Sequence, residues 1–264
     1  MNAEMIHRYQ RMKKDLEAAA RIQRSLLPSA SPLIDGVRVA WDVVPCEELA
    51  GDSLNLLRLD ERHLGVYILD VSGHGLEAAL LAVTLHKVID AIAGGPSLLS
   101  RRNGSCCVIV TPAELCTELN RIFPMDPVNG QYFTLLYGLF DAVKKEFRYV
   151  AAGHHAPVYL PPLGGPVEIS NHGFPIGVVQ DAQYEERVIE VERGGRLYLY
   201  SDGLIDAECS CEGPFGTSRI LQTIEAGRSR TLRQSVDDII KRVRDWSSTA
   251  RLEDDASLLA LEVG

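Results

Sequence analysis

Residues 1 to about 27 contain neither Gly nor Pro, and Met5, Tyr9, Met12, Leu16 and Ala19 recur at alternating spacings of four and three. Leu26 continues that seam beyond a polar Gln23. The spacing predicts one helix carrying a short coiled-coil stripe. Such a helix serves either as a dimerising or signal-receiving stalk or as an element packed on its own domain. Pro28, Ser29, Ser31 and Pro32 end it. The chain therefore divides into an N-terminal helical segment, residues 1–27, and one domain over residues 28–264.

Beyond the break the period changes. Residues 36–44 and 53–59 alternate, and residues 63–71 read as a strand that reaches Asp70 near its end. Residues 76–93 carry apolar positions along one side of a helix. Residues 94–110 read as a loop or flap that includes an uncertain strand. Thr111 is a helix N-cap with Pro112 in the first turn and Glu114 at the third helical position. Residues 131–160 read as a hairpin series, with strands at 132–140 and 146–151 about the charged turn 141–145. Strands at 187–192 and 196–200 join at Gly194-Gly195. Helices follow near 218–224 and 231–247, and a strand at 256–263 closes the chain. This order predicts an α+β fold of two packed antiparallel sheets flanked by helices, not a βαβ wheel.

A hydrophobic content of 46% with 24% charged residues fits a globular domain able to hold a core without staples. The net charge of -9 argues against a nucleic-acid surface, which needs clustered Lys and Arg. Cysteines at 46, 106, 107, 116, 209 and 211 form no CxxC pair, so they read as reduced thiols and not as a zinc site. No apolar run approaches the ~20 residues that span a bilayer, and no signal peptide is visible. The expected location is cytoplasmic, with no membrane span.

Four stretches place an aspartate beside an apolar strand. They are AGDS with Asp52, ILDVSGHG with Asp70, LYSDG with Asp202, and EDDASLL with Asp254 and Asp255. One such aspartate usually caps a turn. Four, with Asp depleted inside strands, call for a common reason. A site for hard divalent cations supplies it, because Mg²⁺ and Mn²⁺ prefer carboxylate, carbonyl and water oxygens. A competing reading takes Gly73-His74-Gly75-Leu76-Glu77-Ala78 as a partial GxGxxA dinucleotide fingerprint. It lacks the second parallel strand, because Ala93-Gly94-Gly95-Pro96 breaks the chain where that strand belongs.

The ordered set AGD, DVSGHG, TLLYGLFD, AAGHHAP, GFPIGVV, LYSDGLIDA and EDDASLL resembles the metal-dependent protein phosphatases of the type 2C (PPM) fold, in their bacterial SpoIIE/RsbU branch. The preceding ARIQRSLLP resembles the segment that leads into the domain in that branch. The likeness runs from about residue 20 to the end. It implies an αββα sandwich with two divalent cations, Mn²⁺ or Mg²⁺, between the sheets. Asp52 and Asp70 would bridge them and hold the nucleophilic water, with the Val71 carbonyl as a further ligand. Asp202 and Asp254 would complete one ion's ligands, with Asp255 the alternative to Asp254.

The implied activity is hydrolysis of phosphoserine or phosphothreonine on a signalling protein by metal-activated water. The implied substrate is an anti-sigma-factor antagonist, a STAS-type regulator. The implied upstream partner is a sensory or receiver domain acting through the leading helix, and a homodimer through residues 5–26 is expected. Ala50 stands where a Gly is common, and Asn55 where a second Asp often falls, which alters support for the centre and not its ligands. His74 reads as a turn residue before a general acid, and His154 and His155 as part of a turn between strands. The alternative function is an inactive adaptor on the same scaffold, from which retention of all four aspartates distinguishes this chain.

Overall fold

The computed structural model describes residues 3–28, 34–90, 98–103, 106–125, 130–169, 173–249 and 251–264. After helix α1 (Ala3–Arg24) come strands β1 (Val37–Val44), β2 (Ser53–Arg58) and β3 (His63–Val71), then helix α2 (Leu76–Ile89). A short hairpin, β4 (Ser100–Asn103) and β5 (Cys106–Ile109), precedes helix α3 (Pro112–Ile122). Strands β6 (Phe133–Asp141), β7 (Glu146–Ala152), β8 (Val158–Leu160), β9 (Val167–Glu168), β10 (Arg187–Glu190) and β11 (Arg196–Tyr200) follow. A 3-10 turn over Asp202–Leu204 leads to a second short hairpin, β12 (Glu208–Cys209) and β13 (Gly213–Pro214). Helices α4 (Gly216–Ala226) and α5 (Leu232–Trp246) and strand β14 (Ala256–Val263) complete the chain.

The long strands form two five-stranded sheets, ordered β1-β14-β11-β8-β9 and β10-β7-β6-β3-β2. Period-two alternation sorts their side chains into three layers of core. From β3, Leu64, Val66 and Ile68 face the opposite sheet, and Tyr67, Leu69 and Val71 face α2 and α3. From β14, Leu259, Leu261 and Val263 point into the space between the sheets, and Ala256, Leu258 and Ala260 meet α4 and α5. Each fully buried Leu, Ile or Phe contributes about 1.5–3 kcal/mol, so both faces of each sheet are held. The expected αββα sandwich is present, with an N-terminal helix ahead of it.

The pattern located β3, β11 and β14 at their observed bounds, and the Thr111 capping box forms as expected, with Glu114 reaching back to its own cap. An equivalent box at Thr231 and Gln234 opens α5. Helix α2 stops at Ile89, short of the predicted residue 93, and residues 91–97 lie outside the described residues. The predicted flap contains a two-stranded hairpin, β4 with β5. Gly194-Gly195 joins strands of different sheets, because β10 is an edge of one and β11 lies inside the other. Strands β9, β12 and β13 are two residues each, too short to show a period.

The dinucleotide reading is overturned. β3 pairs antiparallel with both β2 and β6, and β4 after α2 pairs with β5 in a separate hairpin, so the described residues form no βαβ unit there. The two halves of α1 differ in their surroundings. Leu16, Ala19 and Ala20 pack on Leu49 and Ala79, whereas Met5, Tyr9 and Met12 stand exposed.

Candidate metal centre

The alternation that builds the core also aims the aspartates. Asp70 shares a face of β3 with Leu64, Val66 and Ile68, so it points between the sheets. β2 and β3 pair with Ser53 opposite Leu69. One step further, the same register sets Asp52 opposite Asp70, on the inward face of Leu54 and Leu56. From the other sheet, β11 and β14 pair with Tyr200 opposite Leu258. Asp202 follows the end of β11, and Asp254 and Asp255 precede the start of β14. The carboxylates therefore meet where two strand pairs, one from each sheet, end side by side.

Four hydrogen bonds and two close backbone approaches lock this junction. Ser201, fully buried, donates its hydroxyl to Asp52 Oδ2 at 2.7 Å and accepts the Ser257 amide at 2.8 Å. Asp255 accepts the Cys46 amide at 2.8 Å on one carboxylate oxygen and the Gly51 amide at 2.6 Å on the other. Gly203 lies so close to the last segment that a Cβ there would overlap the Asp255 carbonyl. Gly51 is similarly confined, with the Val71 carbonyl oxygen 3.1 Å from where its Cβ would be. At Gly203 only glycine lets the two backbones approach so near.

The electrostatics of the junction are one-sided. Burial and the Asp70 charge push the Asp52 carboxyl well above its usual range, partly offset by the Ser201 hydroxyl. Asp70 is pushed up to about 7 by burial, then by Asp202, Asp254 and Asp255. Asp202 is raised by burial and by Asp206, with His155 acting against them. Asp254 lies at the solvent-exposed rim and is raised by partial desolvation and by Asp202 and Asp255, with His74 acting against them. Among the described residues, none of these carboxylates forms an ion pair with Lys or Arg. A cluster of buried acids without a cationic partner costs stability unless its members are protonated or a cation neutralises them.

That donor set, all oxygen and all acidic, fits hard divalent cations. The predicted carboxylates are linked in a chain, Asp52 sensing Asp70 and Asp70 sensing Asp202 and Asp254, while among the described residues no three of these four bring one oxygen each within 4.8 Å of the others. Asp255 stands apart from them in role, because both of its oxygens are engaged by backbone amides. Among the described residues, the group that brings three potential ligand atoms within 4.8 Å of one another is Cys46, Asp254 and Asp255. It is a mixed set of one thiol and two carboxylates, one of them already holding two amides, and hard cations prefer oxygen.

The histidines lie around the site without entering it. His74 is mostly exposed on the Gly73–Gly75 turn, its Nδ1 3.4 Å from Glu47 Oε1. His154 is buried, pushed down to about 3 by desolvation, and within 2.7 Å of the Thr134 hydroxyl. It is neutral at physiological pH. His155 stacks on Tyr200 at 5.9 Å. Asn55 points away toward α2, where it bonds Asp90 beside Tyr67 and His86.

Ser201 and Gln23 are contributors that the reading of the chain gave no role, and Asp255, read as the alternative to Asp254 as a ligand, holds two backbone amides. Gln23, near the end of α1, donates Nε2–H to the Ala50 carbonyl at 2.6 Å and accepts the Ala50 amide at 3.0 Å on Oε1. Ser201 could have been found from parity, since it shares the inward face of Leu197 and Leu199. Gln23 could have been found only as the polar residue that interrupts an apolar seam.

Comparison with known proteins adds a lineage to this geometry. The family model described as "Stage II sporulation protein E (SpoIIE)" matches residues 60–264. The phosphoserine phosphatase RsbP of Bacillus subtilis is 29% identical over 75% of this chain and 47% of its own length, so the chain spans about half of that relative. The phosphoserine phosphatase RsbU of the same organism is 23% identical over 96% of this chain and 71% of its own. Among solved structures, the SiaA-PP2C domain of Pseudomonas aeruginosa superposes with a TM-score of 0.80 at 18% identity, covering 100% of both chains. That likeness is one of fold.

Proposed function

The chain belongs to the SpoIIE family, and on that premise we propose that it is a metal-dependent protein serine/threonine phosphatase acting on a phosphorylated signalling protein. The observation that carries this reading is the junction of Asp52, Asp70, Asp202 and Asp254 at strand ends from both sheets, with raised carboxyls and no Lys or Arg paired to them among the described residues. In this reading Asp52 and Asp70 would hold the divalent cations, Mn²⁺ or Mg²⁺. The Val71 carbonyl and the Asp202 and Asp254 carboxylates supply further oxygens. When bound, such ions supply Lewis acidity and an activated water for in-line attack at phosphorus.

The protein's own part is positioning. Ser201 holds one Asp52 oxygen. Asp255 pins the Cys46 and Gly51 amides, so the loop that presents Asp52 cannot drift from β14. Gln23 pins the same loop from outside. Rigid placement of this kind is what lets a site stabilise charge only as it develops.

The names of RsbP and RsbU support phosphoserine as the substrate group, and the resemblance to their branch supports a STAS-type anti-sigma-factor antagonist as its carrier. The exposed first half of α1 supports a role in receiving a signal from an upstream sensory or receiver domain, or in pairing with a second copy. No described helix is long and apolar enough to cross a membrane, and we place the domain in the cytoplasm. The deciding experiment is Mn²⁺-dependent hydrolysis of p-nitrophenyl phosphate and of a phosphorylated STAS-type protein, each repeated with Asp202→Ala. Equal turnover by the variant, or none by the native protein with either cation, would turn the reading toward an adaptor.

A further inference from the structure

Two thiols outside the candidate centre meet in the β12–β13 turn. Cys209 and Cys211 flank Ser210, and their sulfurs lie 2.9 Å apart. Glu208 pairs with Pro214 and Cys209 with Gly213, and Gly213 takes a positive φ of 76°, so the turn folds the two cysteines toward one another. The Ser248 side-chain oxygen accepts the Ser210 amide at 2.7 Å, and the Ser248 amide donates to the Glu208 carbonyl at 3.0 Å. The turn is thereby pinned to the segment that follows α5.

Their surroundings differ from those of the other described thiols. Cys46 and Cys116 are buried and pushed up by desolvation, which keeps them protonated and inert. Cys211 is exposed and Cys209 partly so. Cys209 is held below its usual range by the Cys211 S–H and by the Cys211 and Glu212 amides. Cys211 is raised in turn by its partner. One accessible sulfur favoured as thiolate, against a second favoured as thiol, is the arrangement of an attacking and a resolving cysteine.

We propose that Cys209 and Cys211 form a hydroperoxide-reactive pair that closes to an intramolecular disulfide, with Cys209 attacking and Cys211 resolving. The Cys209 sulfur takes the terminal peroxide oxygen, the O–O bond breaks, and hydroxide leaves to be protonated as water. The Cys211 sulfur then attacks the sulfenic acid, the S–O bond breaks and a second water departs. The two sulfurs lose two electrons and the peroxide gains them. The loop in which this happens runs from Asp202 to α4, with the Phe215 amide bonded to the Ala207 carbonyl and the Gly216 amide to the Ile205 carbonyl. This site stands independently of the phosphatase reading.

The test uses the folded, reduced protein exposed to hydrogen peroxide, alkylated with iodoacetamide and digested with trypsin. The peptide between Arg196 and Arg219 contains Cys209 and Cys211 and no other cysteine. It is expected to appear unalkylated and two hydrogens lighter, and to regain two alkyl groups after dithiothreitol. Cys211→Ser, which lies in an exposed turn, is expected to leave a dimedone-reactive sulfenic acid on Cys209. Cys209→Ser should slow oxidation of the remaining thiol by roughly tenfold. A peptide that stays fully alkylated at peroxide doses that oxidise free glutathione would overturn the proposal. So would direct passage to sulfinic acid, or a disulfide only between molecules.

Discussion

Gln23 and Ala50 are joined by two hydrogen bonds, the side-chain amide of one against the backbone amide and carbonyl of the other, at 2.6 and 3.0 Å. Ala50 lies two residues before Asp52, and the intervening Gly51 is tied to Asp255. A movement of α1 therefore reaches the candidate metal site through one loop. Gln23→Ala is expected to weaken Mn²⁺ binding roughly tenfold with little change in the far-ultraviolet circular dichroism. Calorimetric titration checks this, and unchanged affinity would mean that the clamp only seals the surface.

Asp254 and Asp255 are neighbours in different surroundings, the first exposed and the second buried against two backbone amides. Asp254→Ala is expected to lower divalent-ion affinity by at least tenfold while leaving the urea midpoint nearly unmoved. Asp255→Ala leaves two buried amides without an acceptor and is expected to destabilise the fold by about 3 kcal/mol. Unfolding curves and metal titrations on both variants separate the roles. The reverse pattern would make Asp255 the ligand.

The raised carboxyls set a pH dependence. Asp70 releases its proton near 3.8 when unfolded and at about 7 when folded. Between those values the native state binds the extra proton, so the metal-free protein loses stability as pH rises from about 4 to about 7. Asp52, Asp202 and Asp254 act in the same direction. Asp60 and Asp141, held low by hydrogen bonds, act oppositely, and their contribution is lost only as pH falls below the ordinary carboxylate range. Cation binding must displace the extra protons, so the gain in melting temperature from Mn²⁺ should grow with pH. Melts with EDTA and with Mn²⁺ across pH ~5 to ~8 read both trends. A Mn²⁺ effect independent of pH would remove the shifted aspartates from the site.

Met5, Tyr9 and Met12 present 60%, 64% and 56% of their surface to solvent on one helix. Their spacing is that of a coiled-coil seam, which buries such residues against a second helix. Light scattering is expected to find a dimer at high micromolar concentration, and Tyr9→Glu with Met12→Glu is expected to yield a monomer. A native monomer at that concentration would retire the seam as a self-association surface.

The pattern of the chain was enough to locate the long strands and to mark Asp52, Asp70, Asp202 and Asp254 as strand-end acids, because period and turn chemistry are local properties. The tertiary structure alone decided which of those acids face one another. It also decided that Asp255 is spent on two amides, that β10 and β11 belong to different sheets, and that Gln23 grips Ala50. Those facts depend on the register and stacking of segments up to about two hundred residues apart, such as Gly51 against Asp255. No local pattern records which distant strand a given edge will meet.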